Sequence, residues 1–174
     1  MTIDRSRIHE ENEIRLAWHQ SDLAHALDVV GRTGVDGDAG VAEVAHFSAA
    51  PPTWTVGTGG TRFGRFPVGG EPRTTDEKID DVAALNRLTA SNQSISLHVP
   101  WDLPEDPVGL RQYAAERGIG FDAMNSNTFQ DQPGLAHSYA TGSLSSTVEA
   151  TRQQAVQHNI DCIEIGQQLG STAL

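Results

Sequence analysis

The stretch SLHVPWD places a histidine, a tryptophan and an aspartate at the end of a short apolar run. A histidine can donate, accept or exchange a proton near neutral pH, and a tryptophan offers a flat apolar wall with one N–H donor. Strand alternation puts His98 and Pro100 on one face and Val99 and Trp101 on the other, unless Pro100 turns the chain. A strand histidine is often an ordinary core residue. Because Trp101 and Asp102 lie beside His98, a binding site is here about as well supported as a core position.

The stretch TWTVGTGGTRFGRF is a glycine-rich loop behind a short run of β-branched and aromatic residues. The loop matches neither of two nucleotide-binding motifs, the dinucleotide fingerprint and the P-loop. A dinucleotide fingerprint that starts at Gly57 meets Arg62 where its third glycine belongs, and a P-loop reading lacks the lysine and the hydroxyl residue. The exposed rings of Phe63 and Phe66 predict insertion into a partner subunit or a substrate pocket, and the alternative is that both fold back onto the core. Trp54 is either a pocket wall or a core tryptophan.

Amide and carboxylate side chains crowd the stretch FDAMNSNTFQD at the end of another apolar run. Such groups bind hydroxyls well, although Asn and Asp also populate turns for local reasons. The stretch does not begin a calcium loop, because the sixth position counted from Asp122 lacks glycine and the twelfth lacks glutamate. The candidates are Asp122, Asn125, Asn127 and Asp131.

The remaining histidines and the cysteine lack metal-ligand spacing. His137 and His158 have no carboxylate or second histidine at such spacing, and Cys162 follows His158 without a wider cluster. Cys162 lies in a helical pattern and has no cysteine partner, so we expect an inert, packed thiol. No G-x-S-x-G or other organised nucleophile is present. The sequence therefore predicts no metal site within these residues.

The net charge of the chain argues against two kinds of binding partner, nucleic acid and anionic membranes. The 174 residues carry a formal net charge of -11, which repels nucleic acid and anionic membranes alike. No apolar run is long enough to span a bilayer, and the polar start MTIDRSRIHEENE lacks the apolar region of a secretory signal. We therefore expect a soluble, cytoplasmic protein that binds neither nucleic acid nor membranes.

Helical and strand patterns alternate along the chain. Apolar residues at helical spacing predict two leading helices, over residues 10–31 and 40–47. The runs TWTV, SISLHVPW and IGFDAMNSNTF predict three strands, each followed by a loop and a helix. Thr75 is the predicted N-cap of the first of these helices, and Ser145 or Ser146 of the last. The first of them is predicted to bury Ile79, Val82, Leu85 and Leu88.

Three strand–helix units in succession imply a parallel sheet, because parallel strands require crossover connections. An open doubly wound sheet and a (β/α) barrel both fit this order. The last residues, STAL, read as the start of a fourth strand, and three units cannot close an eight-stranded barrel. We expect a chain that is cut within its fold rather than finished.

Several long segments in order carry a family resemblance. They are PTWTVGTGGTRFGRFP, SLHVPWD, GFDAMNSNTFQDQPGLAHSY, and GSLS followed by ATRQQAVQHNIDCIEIG. Together they resemble the amino-terminal part of the bacterial L-rhamnose isomerases of broad sugar specificity. The resemblance implies the amino-terminal part of a (β/α)8 TIM barrel, an α/β fold, with residues 1–50 as a helical extension and 51–174 as the first βα units. It also implies a homotetramer that interconverts aldoses and ketoses, such as L-rhamnose and L-rhamnulose, with a divalent metal such as manganese.

The resemblance further implies roles for four side chains. His98 and Trp101 match the histidine and tryptophan that line the family's sugar site, and Trp54 matches another pocket tryptophan. Phe63 matches the loop phenylalanine that family members lend to an adjacent subunit. On this basis we expect His98 to hydrogen-bond a sugar oxygen and assist ring opening, while the aromatic rings cover the apolar faces of the sugar.

The same family places its metal ligands beyond the position that corresponds to Leu174, and its members are more than twice as long. We therefore expect sugar recognition within these residues and metal-assisted chemistry outside them. The alternatives are a sugar epimerase on a related barrel and a non-catalytic interaction module that uses Phe63 and Phe66. We expect the isolated chain to fold poorly, because an open half-barrel exposes a sheet edge and apolar helix faces.

Overall fold

The computed structural model of the chain describes residues 5–57, 60–61, 64–65, 69–132 and 134–174. Within these residues it is an α/β arrangement of helices and two small sheets. The helices are α1 (Arg5–Gly31), α2 (Gly37–Ala45), α3 (Thr75–Thr89), α4 (Pro107–Ala115) and α5 (Glu149–Leu169), with a 3-10 helix at Thr53–Thr55. The strands are β1 (Gly60–Thr61), β2 (Gly64–Arg65), β3 (Ser94–Val99) and β4 (Gly120–Ser126).

The strands β3 and β4 pair in parallel, as the sequence predicts, whereas β1 and β2 form a short antiparallel pair. The register joins Leu97 to Met124 and His98 to Asn125. Because directly paired residues of a sheet point to the same face, Leu97 and Met124 share one face and His98 and Asn125 share the other.

Single bridges continue the parallel order on both sides of this pair. Pro52 bridges Ser96 of β3, and Ala173 bridges Ala123 of β4, both in parallel. Four successive segments of the chain therefore lie side by side in one direction. The bridge at Ala173 lies within STAL, where the sequence predicts an additional strand.

The prediction that TWTV forms the first strand is wrong. Thr53–Thr55 form a 3-10 turn whose last N–H donates to the carbonyl of Pro52 at 2.9 Å. Continued pairing with β3 would require the backbone groups of His98. Its N–H instead donates to Oδ2 of Asp102 at 2.9 Å, and its carbonyl accepts the N–H of Asp102 at 2.9 Å. Because Asp102 occupies these groups, the chain turns after Pro52.

A capping box begins α3. Thr74 Oγ1 accepts the N–H of Glu77 at 3.2 Å, and Glu77 Oε2 accepts the N–H of Arg73 at 2.6 Å and of Thr74 at 3.2 Å. The hydrogen bond from the Arg73 N–H and, to a smaller extent, that from the Thr74 N–H hold the pKa of the Glu77 carboxyl below its ordinary value. The N-cap is thus Thr74, and the predicted cap Thr75 is the first residue of the helix.

The helix α5 begins later than predicted. It starts at Glu149, and Val148 occupies the N-cap position without a side-chain bond. Ser146 Oγ accepts the N–H of Val148 at 3.2 Å in the preceding turn, so neither Ser145 nor Ser146 is the cap. At the other end, Gly170 ends the helix with φ 84°, a left-handed conformation that favours glycine.

The leading helices are both longer toward the amino end than predicted. Asp36 caps α2 by accepting the N–H of Ala39 at 3.0 Å. The apolar residues of α1 are exposed, among them Ile14 at 66% and Trp18 at 67%. Within the described part of the chain, no helix has the length and apolar character that crossing a membrane requires.

The core lies on one face of the parallel sheet. Ile95, Leu97 and Val99 of β3 are buried and alternate with partly buried polar residues, including His98. The helices α3, α4 and α5 lie side by side against this apolar face. The other members of the same core cluster are Ile79, Val82, Ala83, Leu110, Ala114, Ile119, Met124, Cys162 and Leu169.

Leu97 is fully buried at the centre of this core. We expect Leu97→Ala to lower the free energy of unfolding by about 2–5 kcal/mol, because it removes apolar contacts and leaves a cavity. Urea denaturation of the complete gene product measures the change. Leu88→Ala is the control, because Leu88 is 52% exposed although the sequence assigned it to the buried stripe of α3. Equal losses for the two variants would contradict the location of the core.

Candidate functional site

The carboxyl end of β3 holds His98 on the face of the sheet opposite the core. Burial alternates along the strand, with Val99 buried and His98 partly exposed. The chain then turns at Pro100, and the N–H of Asp102 closes the turn on the carbonyl of His98. The turn allowed for at Pro100 does occur, and it brings Trp101 next to the His98 ring.

Four aromatic side chains, His98, Trp54, Trp101 and Phe129, form what we call the His98 cluster. From the imidazole centroid, the Trp101 ring lies at 4.3 Å and is tilted by 52°. Trp54 lies edge-on at 5.1 Å, and Phe129 is stacked at 6.0 Å with an interplanar angle of 17°. Trp54 is 39% exposed, Trp101 37% and Phe129 63%. The cluster is therefore an open apolar surface around a polar ring, which suits a small ligand with both C–H and hydroxyl groups.

Three of the four site residues that the sequence singled out, Trp54, His98 and Trp101, thus lie next to one another. Phe63, the fourth, and Phe66 lie outside the described residues. The geometry brings the three rings together, and their roles toward a sugar stay predictions.

Sequence reasoning missed Phe129. It is the large apolar residue of NSNTFQD and follows the end of β4 by three positions. Because the carboxyl ends of neighbouring parallel strands meet at one edge of the sheet, that position was a usable signal for a ring near His98.

The carboxylate of Asp102 lies beside the cluster and is 1% exposed. Its Oδ2 accepts Thr53 Oγ1 at 2.5 Å and the N–H of His98 at 2.9 Å, and its Oδ1 accepts Lys78 Nζ at 2.5 Å. The Lys78 side chain is only 13% exposed. Removal of one partner from such a buried pair generally costs about 3–5 kcal/mol, because the other charge stays buried. Sequence reasoning noted Asp102 only as a neighbour of His98, and no spacing rule links it to Thr53 or Lys78.

The amide and carboxylate side chains of FDAMNSNTFQD lie in different environments. Asn125 pairs with His98 in the sheet register and shares its face. Asn127 is 1% exposed and donates from Nδ2 to the carbonyl of Gln130 at 3.1 Å. Asp122 is exposed. Asn125 is therefore the member of the set that pairs with His98 in the sheet.

Asp131, the last member of that set, braces a loop. Its carboxylate accepts Ser138 Oγ and the N–H of Tyr139, both at 2.5 Å. The bond from Ser138, followed by that from Tyr139, holds the pKa of Asp131 below its ordinary value. These local hydrogen bonds account for an aspartate at this position, as the alternative of an ordinary turn residue predicts.

Cys162 and His158 are close together on α5, with Sγ 3.7 Å from Nε2. Cys162 is fully buried, and burial, with a smaller effect of the Asp161 carboxylate, raises the pKa of the thiol to about 11. Its burial confirms the expected packed thiol, and the raised pKa favours the protonated form at neutral pH. Across the described ranges, no three His, Cys, Asp or Glu side chains converge as a metal site requires.

We expect Cys162 in the folded complete gene product to resist a disulfide-exchange reagent such as DTNB at pH 8, because the thiol is buried and its pKa lies well above that pH. After denaturation in urea, Cys162 should react rapidly, and it is counted as the one thiol by which the protein differs from its Cys162→Ala variant. Absorbance of the released thionitrobenzoate measures both reactions. Fast stoichiometric labelling without urea would contradict the packing of α5.

The chain is closely similar to longer proteins, although no protein-family model matches it. A protein of Rhizobium meliloti (strain 1021) named "probable sugar isomerase" is 48% identical over 174 residues, which make up 100% of this chain and 40% of that protein. A protein of Mesorhizobium japonicum with the same descriptive name is 48% identical over 167 residues, 96% of this chain and 39% of that protein. The chain therefore spans about two fifths of the length of these relatives.

Proposed function

We propose that the protein containing this chain is a sugar isomerase that interconverts an aldose and a ketose, with L-rhamnose and L-rhamnulose as the substrate pair. The observation that carries the proposal is the His98 cluster, an imidazole between two exposed indoles at the carboxyl end of a parallel sheet. The names of the relatives at 48% identity agree with a sugar isomerase. The choice of L-rhamnose rests on the resemblance of the segments around Trp54 and His98.

The proposed fold of the complete protein is a (β/α)8 barrel. In a doubly wound sheet the helices cover both faces, whereas in a barrel they form an outer ring and the other face lines the interior. Here α3, α4 and α5 all pack on the Leu97 face, while the opposite face carries Ser96, His98 and Asn125. This one-sided packing supports the barrel, and in that fold His98 would face the barrel mouth.

In this proposal, His98 binds a sugar oxygen and assists opening of the sugar ring. Ring opening removes a proton from the anomeric hydroxyl and delivers one to the ring oxygen, and an imidazole can hold or move a proton at either atom. The rings of Trp54, Trp101 and Phe129 cover the C–H faces of the sugar and exclude water. The later transfer of hydrogen between adjacent carbons is not assigned to these residues.

A divalent metal, manganese by resemblance, is proposed for the complete protein, where it would polarise sugar oxygens. The described residues of this chain do not offer a fitting set of ligands. No step at the His98 cluster is therefore derived through a metal. Metal analysis of the purified complete gene product tests this part.

A homotetramer is proposed as the assembly, with the Phe63 loop reaching the sugar site of a neighbouring subunit. The support is the family resemblance and the glycine-rich sequence around Phe63, which permits an extended loop. Co-expression of Phe63→Ala and His98→Ala subunits tests it. Activity that neither variant has alone would support a shared site, and no recovery would count against it.

In the complete gene product, we expect His98→Ala to lower kcat/KM for L-rhamnose by about 10²–10⁴-fold, because a group that moves a proton during ring opening is lost. Steady-state kinetics with detection of L-rhamnulose measures the change. Trp18→Phe is the control, since Trp18 is a 67% exposed residue of α1 and should leave the kinetics unchanged.

Unchanged kinetics for His98→Ala would contradict the assigned role. Formation of a C3 epimer instead of a ketose by the wild-type protein would replace the isomerase with the sugar epimerase. Absence of any sugar turnover, together with cooperative melting of the 174-residue chain alone, would favour the interaction module.

A further inference from the structure

We infer that Asp102 is a positioning residue of the proposed sugar site, because its buried carboxylate fixes the backbone of His98 and, through Thr53, the location of Trp54. Its effect on sugar binding rests on the proposed function. Its effect on the positions of the aromatic rings rests on geometry alone, so the two can fail separately.

Asp102 binds the backbone groups that the edge of β3 leaves open at His98. Every second residue of an edge strand directs its N–H and carbonyl outward. Ser96 does so toward the carbonyl of Pro51, to which its N–H donates at 3.3 Å. His98 is the next such residue, and Asp102 binds both of its backbone groups, through Oδ2 and through its own N–H. Asp102 therefore replaces a neighbouring strand at the residue on which the cluster is centred.

Thr53 is bound by the same carboxylate. Its hydroxyl donates to the same Oδ2 atom at 2.5 Å, and the residue is 1% exposed. Thr53 immediately precedes Trp54 in the 3-10 helix. The centroid of the Trp54 ring lies 5.1 Å from that of the His98 ring. One carboxylate oxygen thus sets the distance between the segment that carries Trp54 and the strand that carries His98.

Lys78 of α3 donates from Nζ to Asp102 Oδ1 at 2.5 Å. A Cβ on Gly57 would lie 2.5 Å from Lys78 Cε, so the lysine passes Gly57 closely because that residue has no side chain. The ammonium offsets the cost of burying the carboxylate. Three donors from three elements therefore meet at Asp102, and the residue itself is too buried to touch a sugar.

The variant Asp102→Asn keeps the shape of the side chain but leaves one oxygen for three donors. Its NH2 group must then face either Lys78 or the donors from Thr53 and His98. We expect the segment carrying Trp54 and the turn carrying Trp101 to move relative to the His98 ring.

Asp80→Asn is the matched control. Asp80 of α3 accepts Tyr113 Oη of α4 at 3.0 Å and pairs with Arg117 Nε, in the turn after α4, at 2.5 Å. An effect common to the loss of any ion-paired carboxylate on α3 or after β3 would appear in both variants, whereas displacement of the cluster should follow only from Asp102→Asn.

The measurement is 19F NMR of the complete gene product labelled with fluorotryptophan. The resonances are assigned with Trp18→Phe, Trp54→Phe and Trp101→Phe. We expect Asp102→Asn to shift or broaden the Trp54 and Trp101 resonances and to leave Trp18 unchanged, while Asp80→Asn leaves all three unchanged. Thr53→Val, which removes one donor, should shift Trp54 and serves if Asp102→Asn does not fold.

Steady-state kinetics provide the second readout. We expect Asp102→Asn to raise KM for L-rhamnose by about tenfold with a smaller fall in kcat, because displaced apolar walls weaken substrate and transition state alike. Asp80→Asn should leave KM unchanged.

Unchanged Trp54 and Trp101 resonances in folded Asp102→Asn and Thr53→Val would overturn the inference, as would equal shifts in Asp80→Asn. Moved resonances in a protein whose wild type does not turn over L-rhamnose would uphold the positioning role and reject the proposed function.

Discussion

One buried carboxylate holds together the end of the sheet at which the candidate site lies. Asp102 is 1% exposed, and a charged group so shielded is tolerated only where donors are fixed around it. Here the hydroxyl of Thr53, the ammonium of Lys78 and the N–H of His98 satisfy it. These donors come from the 3-10 helix, α3 and β3. The arrangement of the aromatic rings follows from this junction, because Trp54 and Trp101 each adjoin one of its members in sequence.

The two faces of the sheet differ in burial and polarity, and the proposed recognition lies on only one of them. Leu97 and its neighbours in β3 pack against three helices, so large changes there should act on folding. His98 and Asn125 share the other face, whose groups are polar and partly accessible. Substitutions at His98 can therefore alter binding without opening the core, which makes the site accessible to mutational tests.

The elements with strong local patterns could be predicted from sequence. Alternation in SISLHVPW and helical spacing in α3 and α5 gave the right element types, because burial on one face imposes these periods. The N-cap of α3 was misplaced by one residue, although Thr74 precedes Glu77 by the three positions of a capping box. TWTV failed for a different reason. Its conformation depends on Asp102, 49 positions beyond Thr53, which no local pattern reveals.

The candidate site was predictable to the extent that residue type and strand ends reveal it. His98 and Trp101 follow from their place at the end of a predicted strand and Trp54 from its aromatic type, and the three rings do lie together. Lys78 could not be found this way, because its partner lies 24 positions away on another element. Specific roles came from family resemblance, since composition and spacing alone do not distinguish a sugar pocket from another aromatic site.

The most direct test of the central claim is a crystal structure of the complete gene product with L-rhamnose bound. The account predicts a C–H face of the sugar against the indole of Trp54 or Trp101, with a sugar oxygen within about 3 Å of the His98 imidazole. A sugar bound elsewhere, with both indoles covered by the protein's own chain, would contradict it.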